Sequence, residues 1–194
     1  MSRDYSDLSE KQWAKIDPPM LPPRNVDIQL ELMEESHDIM DYIKLKHWLI
    51  DGALLCIYRD GKLLNHNQDI DWAVYSEDIQ SRMTELKYMF LEEDYAVRAF
   101  KENTRLNAYK KGEMVSIQGY GLKKKHPGFR FMKKYCIPVE MFEKSELIEF
   151  NGFTYMAPAI ELYLSRKYSN WKKEYSGDTK NKKYLNKKVL CAIR

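Results

Sequence analysis

Two aspartates one residue apart, Asp69 and Asp71, run straight into the apolar stretch Trp72, Ala73, Val74 and Tyr75. Side chains on a strand alternate between its faces, so both carboxylates leave the same side, roughly 7 Å apart along the chain. Hard oxygen donors at that spacing suit a divalent cation. The bland alternative is a solvated carboxylate pair in a surface turn, which Asp-x-Asp sequences often form. Upstream, the apolar run Trp48, Leu49 and Ile50 ends at Asp51, Gly52 and Ala53. Small residues at such a turn let the backbone close around a phosphate. Arg59 lies between the two stretches and offers a fork of N–H donors to phosphate oxygens.

For those groups to converge, strands must carry them and helices must cover the strands. His47 to Ile50 reads as a first strand, and Ala53 to Tyr58 as a short buried helix with Arg59 at its end. Asp60 and Gly61 mark its stop, because Gly is the usual residue just past a helix terminus. The loop Lys62 to Gln68 delivers the Asp69–Asp71 strand, and His66 within it is read as a loop residue. Ser76 reads as an N-cap, with Glu77 and Asp78 suiting the helix dipole, and Ile79, Met83, Leu86 and Phe90 form the buried stripe that follows. Before the first strand, Ile28, Leu32, Ile39 and Ile43 lie at spacings of four, seven and four and mark an amphipathic helix. Its acids Glu31, Glu34, Glu35 and Asp38 are expected in solvent. His37 and His47 share no metal-site spacing and are read as surface or edge residues.

Residues 95 to 138 alternate short aromatic and β-branched runs with turn signals at Lys110-Lys111-Gly112 and Pro127-Gly128, the pattern of a β meander. The basic cluster Lys123, Lys124, Lys125 and His126 reads either as a holder of a diphosphate or phospholipid head group or as a solvated turn. Asn151-Gly152 between Leu147–Phe150 and Phe153–Met156 predicts a hairpin. Pro158 then starts a helix with Ile160, Tyr163, Leu164 and Tyr168 on one side.

The order Gly52, Ala53, Leu54, Leu55, then Arg59, then Asp69, Ile70, Asp71 resembles the LicD and fukutin family of phosphotransferases. Pro158, Tyr163 and Leu164, followed by Tyr168, Ser169, Asn170 and Trp171, resemble that family's downstream motif. The resemblance implies an α+β fold: a nucleotidyltransferase-like mixed β-sheet with helices packed against it, plus a small β meander. It implies transfer of a phospho-alcohol, such as phosphocholine or ribitol phosphate, from a CDP-linked donor to a glycan hydroxyl. Asp69 and Asp71 would hold Mg²⁺ or Mn²⁺, Gly52 and Ala53 would back the phosphates, Arg59 would contact one of them, and Asp51 is the nearest carboxylate for a general base. The chain departs from the family where Asn65, His66 and Asn67 replace a Pro-Trp and an acid. It departs again where Ser116, between Val115 and Ile117, stands at the position of a third carboxylate. Ser116 is therefore grouped with the substrate-binding residues. Glu113 cannot take its place simply, because three residues away on a strand is the opposite face. Two further readings stay open: a nucleotidyltransferase acting on protein or RNA, and an inactive member that works as a binding protein.

At 194 residues, 44% hydrophobic and 31% charged, the chain suits one soluble domain with a sizeable core. The expected division is a Pro-rich arm at 1–25 (Pro18, Pro19, Pro22, Pro23), a catalytic domain at 26–171 and a basic tail at 172–194. Such a tail is drawn to anionic surfaces, nucleic acid or the inner leaflet alike, and names no clear nucleic-acid partner. Cys56, Cys136 and Cys191 are odd in number and far apart, which predicts no disulfide framework and a reducing compartment. With no apolar leader and no run long enough to span a bilayer, a cytoplasmic location is the expectation.

Overall fold

Two tryptophans on neighbouring strands set the layers of the fold. In the computed structural model, which describes residues 3–8, 12, 25–65, 67–133 and 135–173, Trp48 stands beside Ala73 and Leu49 beside Trp72. The Trp72 indole N–H donates to Ser36 Oγ at 2.9 Å on a covering helix. Trp48 turns the other way, its ring 4.9 Å from that of Phe142. Both are fully buried, and burying a side chain of this size contributes about 2–3 kcal/mol.

The elements run β1 (Arg3–Asp4), α1 (Val26–Tyr42), β2 (His47–Ile50), α2 (Asp51–Asp60), β3 (Ile70–Tyr75), α3 (Ser76–Glu92), β4 (Ala96–Ala99), β5 (Arg105–Lys110), β6 (Glu113–Lys123), β7 (His126–Met132), β8 (Tyr135–Pro138), α4 (Val139–Glu143), β9 (Glu146–Phe150), β10 (Phe153–Ala157) and α5 (Ile160–Lys167). The sheet is ordered β1-β4-β5-β6-β3-β2, with β7 and β8 continuing from β6. It is mostly antiparallel. Among the described residues only β3 with β6 and β1 with β4 run parallel, and β3 and most of β6, at the centre, are buried along their length as a two-sided core strand requires. Helices α1 and α3 pack on β6 and β3 and on each other, while α2 packs on β2 and β3 and is joined by α5.

Local chemistry explains most element ends. Asn25 caps α1, its side chain accepting from the Asp27 and Ile28 N–H groups at 3.0 and 3.2 Å. Gly61 ends α2 at φ 66°, the left-handed terminus expected from Asp60-Gly61. Phe150 faces Phe153 across Asn151 and Gly152, both at positive φ, which makes the expected hairpin with a type I′ turn. The β meander also forms, as β4 to β8.

Two expectations change. Ser76 is the first residue of α3 rather than its cap, and no side chain caps that helix. Its hydroxyl instead lies where a Cβ at Gly119 or Gly121 would meet it at 3.0 Å, so the helix start is pressed onto β6. His37 and His47, read as surface or edge residues, are in hydrogen-bond contact, with His47 only 5% exposed. Sequence spacing hid this pair because one imidazole is on a helix and the other on the next strand. Cys56 is a buried free thiol, and Cys191 lies outside the described residues. The prolines of the arm, His66 and the tail beyond Lys173 lie outside the described residues, although Arg3 and Asp4 pair with Ala96 and Val97 at the sheet edge. Among the described residues no helix is long and apolar enough to cross a membrane.

Candidate active site

Asp71 is the first site residue within β3, and strand alternation turns it away from Trp72, onto the face covered by α2 and α5. It lies in register with Ile50 on one side and Ser116 on the other. Ser116 in turn faces Asn107 on β5, so a polar row crosses the sheet beneath the cleft. Gln118, two residues beyond Ser116 and on the same face, donates from Nε2 to Asp71 Oδ1 at 2.5 Å and lies 3.3 Å from Ser116 Oγ. Arg105 approaches Ser116 Oγ at 3.4 Å. Glu113 goes to the opposite face, where its carboxylate accepts from the Asn25 N–H at 2.9 Å and from Gln29 at 3.0 Å.

The two other carboxylates come in from the flanks. Asp69 is half-buried just ahead of β3. Asp51 opens α2 at φ 59°, a left-handed conformation that Asp tolerates better than most residues and that still costs on the order of 1–3 kcal/mol. Its side chain explains the turn: Asp51 Oδ1 accepts from the Tyr163 hydroxyl and lies 2.5 Å from Lys167 Nζ, both partners being largely buried. Burial, then the Asp69 and Asp51 charges, hold the Asp71 carboxyl well above the usual aspartate range, with Lys167 and Gln118 offsetting part of the effect. Three acids thus share one low-dielectric corner with the Lys167 ammonium. Tyr120, Tyr163 and Tyr168 surround it, each pushed well above the ordinary tyrosine value first by burial and then by Asp51. They remain neutral hydroxyls.

The glycine turn acts through a side chain. A Cβ at Gly52 would meet Asn67 Oδ1 at 2.3 Å, and Asn67 Nδ2 donates to the Asp69 carbonyl at 2.8 Å. Gln29 holds the Asn67 carbonyl from below at 3.0 Å. Gly52 therefore locks the loop that carries Asp69 against the start of α2, rather than leaving open backbone for a phosphate. Ala53 is fully buried behind it.

Arg59, expected to contact a phosphate, is engaged by groups of the chain itself. Its guanidinium makes a bidentate pair with Asp60 at 2.8 and 2.7 Å and reaches the Trp171 and Lys173 carbonyls at 3.3 and 3.1 Å. It stitches the end of α2 to the segment after α5, because it sits at the far end of the helix from Asp51. Lys123, Lys124, Lys125 and His126 form the exposed β6–β7 turn.

Lys167 and Gln118 were missed, and both had a signal. Lys167 lies four residues after Tyr163 on the buried stripe of α5, and a cation on an apolar face needs a buried acid. Gln118 lies two residues after Ser116, hence on its face.

A central mixed sheet that aims clustered carboxylates from a strand end beside a helix-opening turn defines a nucleotidyltransferase-type protein. The chain belongs to the LicD/FKTN/FKRP family, whose nucleotidyltransferase domain matches residues 44–160. By structure it is similar to the antibiotic-resistance factor ANT(2'')-Ia at a TM-score of 0.50 and 14% identity, covering 69% of this chain and 66% of that one, just under two thirds of its length. It is similar at a TM-score of 0.49 and 14% identity to the lincosamide antibiotic adenylyltransferase LnuA in its lincomycin-bound form, covering 73% of this chain and 85% of that one. A putative nucleotidyltransferase from Thermotoga maritima follows at 0.46 and 14%, with 70% and 80% covered. Among curated proteins no sequence match was found.

Proposed function

We propose that the chain is a metal-dependent phosphotransferase that moves a phospho-alcohol from a CDP-linked donor to a glycan hydroxyl, with Asp69 and Asp71 as the metal carboxylates. The observation that carries this reading is the convergence of Asp51, Asp69 and Asp71, where burial and then the Asp69 and Asp51 charges hold the Asp71 carboxyl high despite Lys167. The residues fit a divalent ion. Gln118 Oε1 and the Tyr120 hydroxyl, on the same face of β6 as Ser116, are buried without hydrogen-bond partners, and oxygen donors beside two carboxylates suit Mg²⁺ or Mn²⁺.

A divalent ion held there supplies positive charge against the diphosphate and the departing phosphate. Asp69 and Asp71 fix its place on the strand end. Gln118 orients Asp71, and Gly52 with Asn67 keeps Asp69 beside it. The acceptor oxygen bonds to the phosphorus bearing the alcohol, the bridging P–O bond breaks, and CMP leaves with the electron pair. The acceptor proton passes to Asp51 through Oδ2, since Tyr163 and Lys167 both engage Oδ1. Arg59, committed to Asp60 and backbone carbonyls, is assigned no phosphate. Ser116, where a third carboxylate would stand, contributes a hydroxyl to the donor side of the row.

That same serine favours a second reading, a member that binds a donor without turning it over, because a lost carboxylate weakens charge stabilisation most in the transition state. Incubation with CDP-choline, CDP-ribitol, CTP and ATP in Mg²⁺ or Mn²⁺ separates the readings. Phosphotransfer releases CMP from a CDP-linked alcohol, and Asp69→Asn with Asp71→Asn abolishes it. Pyrophosphate from CTP or ATP supports nucleotidyl transfer to protein or RNA instead. Thermal stabilisation by a CDP-alcohol without CMP supports the binding protein.

A further inference from the structure

On the face of the sheet opposite Asp71, the last turns of α1 and the first residue of β2 bring two imidazoles together, with His37 Nδ1 2.7 Å from His47 Nε2. His47 Nδ1 lies 2.7 Å from the Leu45 carbonyl oxygen. That oxygen only accepts, so the neutral His47 ring carries its proton on Nδ1 and presents a lone pair on Nε2. One N–H held by a backbone carbonyl and the other nitrogen left as a donor pair is how metal-ligating histidines are oriented. His37 and Asp41 stand four residues apart on α1 and share a helix face. The Asp41 carboxylate lies 3.6 Å from His37 Nε2 and 4.0 Å from His47 Nδ1.

The geometry points to a binding site for a borderline divalent metal, zinc by ligand type, formed by His37, Asp41 and His47. One ligand atom from each residue lies within 4.8 Å of the others, and two ligands on one zinc lie at most about 4.2 Å apart. Ligands on four-coordinate zinc stand about 3.3–3.5 Å apart, so closing the set takes up to about 1.5 Å, and Asp41, 66% exposed at the end of its helix, has room to move. The two ring nitrogens spread from 2.7 Å to about 3.3 Å, the separation set by zinc–nitrogen bonds near 2.05 Å. The proton on His37 Nδ1 shifts to Nε2, where one Asp41 oxygen accepts it while the other oxygen turns to the metal. Two imidazoles and one carboxylate match zinc rather than magnesium, which keeps to oxygen. The surroundings are dry: the Trp72 ring is 5.0 Å from that of His47 and the Tyr155 ring 4.9 Å from that of His37. The Tyr155 hydroxyl is buried with no partner. Bound zinc clamps the end of α1 to β2, and three protein ligands leave a fourth position for water or a small ligand.

The test is isothermal titration of the tag-free, chelator-stripped full chain with Zn²⁺, repeated with Co²⁺ followed by visible absorption. One equivalent of Zn²⁺ with a rise in melting temperature is expected, together with the intense visible bands of four-coordinate Co²⁺. His37→Gln, which can still donate to His47, and the exposed Asp41→Asn each weaken binding by about tenfold or more. Asp69→Asn with Asp71→Asn leaves the Zn²⁺ equivalent unchanged, which separates this site from the proposed phosphotransfer centre. No saturable equivalent, or equal binding by the wild type and both His37→Gln and Asp41→Asn, overturns the assignment and leaves the imidazole pair as a core hydrogen bond.

Discussion

The Lys167 ammonium lies 2.5 Å from Asp51 Oδ1, with side chains only 8% and 14% exposed. A residue on the last turn of α5 thereby reaches the first residue of α2, and the ammonium that offsets the raised Asp71 carboxyl comes from the downstream end of the fold. Breaking such a pair from one side leaves a buried charge uncompensated. Lys167→Met is therefore expected to destabilise the protein by about 3–5 kcal/mol. Urea unfolding at neutral pH checks this; a change below about 1 kcal/mol would mean that Asp51 reaches water.

Asp71 makes the metal-free protein pH-sensitive in an unusual direction for an aspartate. Its folded carboxyl sits above the ordinary 3.8, first through burial and then through Asp69 and Asp51, so the folded state holds a proton that the unfolded chain releases. The corresponding stability is fully present below about pH 4 and is lost as pH rises through the raised value. Asp71→Asn keeps an acceptor for Gln118 and removes the titration. In EDTA the variant should match or exceed wild-type stability at pH 7–8, by on the order of 1 kcal/mol, with the gap shrinking toward pH 4. Its transfer activity should fall by about 10²-fold or more. Parallel pH–melting curves for the two proteins would contradict the assignment.

Gly52 and Asn67 are expected to behave as one unit. Gly52→Ala alone must displace the Asn67 side chain, met at 2.3 Å, and with it the 2.8 Å bond to the Asp69 carbonyl. In an Asn67→Ala background the space is already vacant and the same change should cost little. A double-mutant cycle by urea unfolding should give a coupling of about 1 kcal/mol or more, and additive effects would show that the contact is not felt.

Arg59 offers a discrimination between scaffold and substrate contact. Arg59→Ala removes a bidentate pair and two carbonyl contacts, which should cost about 1–3 kcal/mol of stability. The donor KM should stay within about threefold of wild type. A KM rise of about tenfold, which is ~1.4 kcal/mol, without loss of stability would restore the phosphate role read from the sequence.

Much of the sheet and its helices was legible because period and punctuation agree locally: Asn151-Gly152 turns, Asp60-Gly61 stops, and Ile79, Met83, Leu86 and Phe90 bury. The register of Ser116 beside Asp71 was also within reach, since the resemblance placed it at a carboxylate position and β3 and β6 pair in parallel there. What escaped were contacts between distant segments. Arg59 looked available because nothing local claims it except Asp60, yet carbonyls 112 and 114 residues away do. His37 and His47 looked unrelated for the same reason, a helix and a strand meeting only in the folded chain. Gly52 was read as a turn for phosphate, whereas the constraint on it is the Asn67 side chain.

The most direct measurement of the central claim is the linkage between Mn²⁺ and CDP binding, by calorimetry of each ligand with and without the other. If Asp69 and Asp71 hold a cation against the donor diphosphate, each ligand tightens the other by the same factor, about 5–150-fold, and the coupling disappears in Asp69→Asn with Asp71→Asn. CDP binding that is indifferent to Mn²⁺, or a coupling that survives in that double variant, contradicts the account.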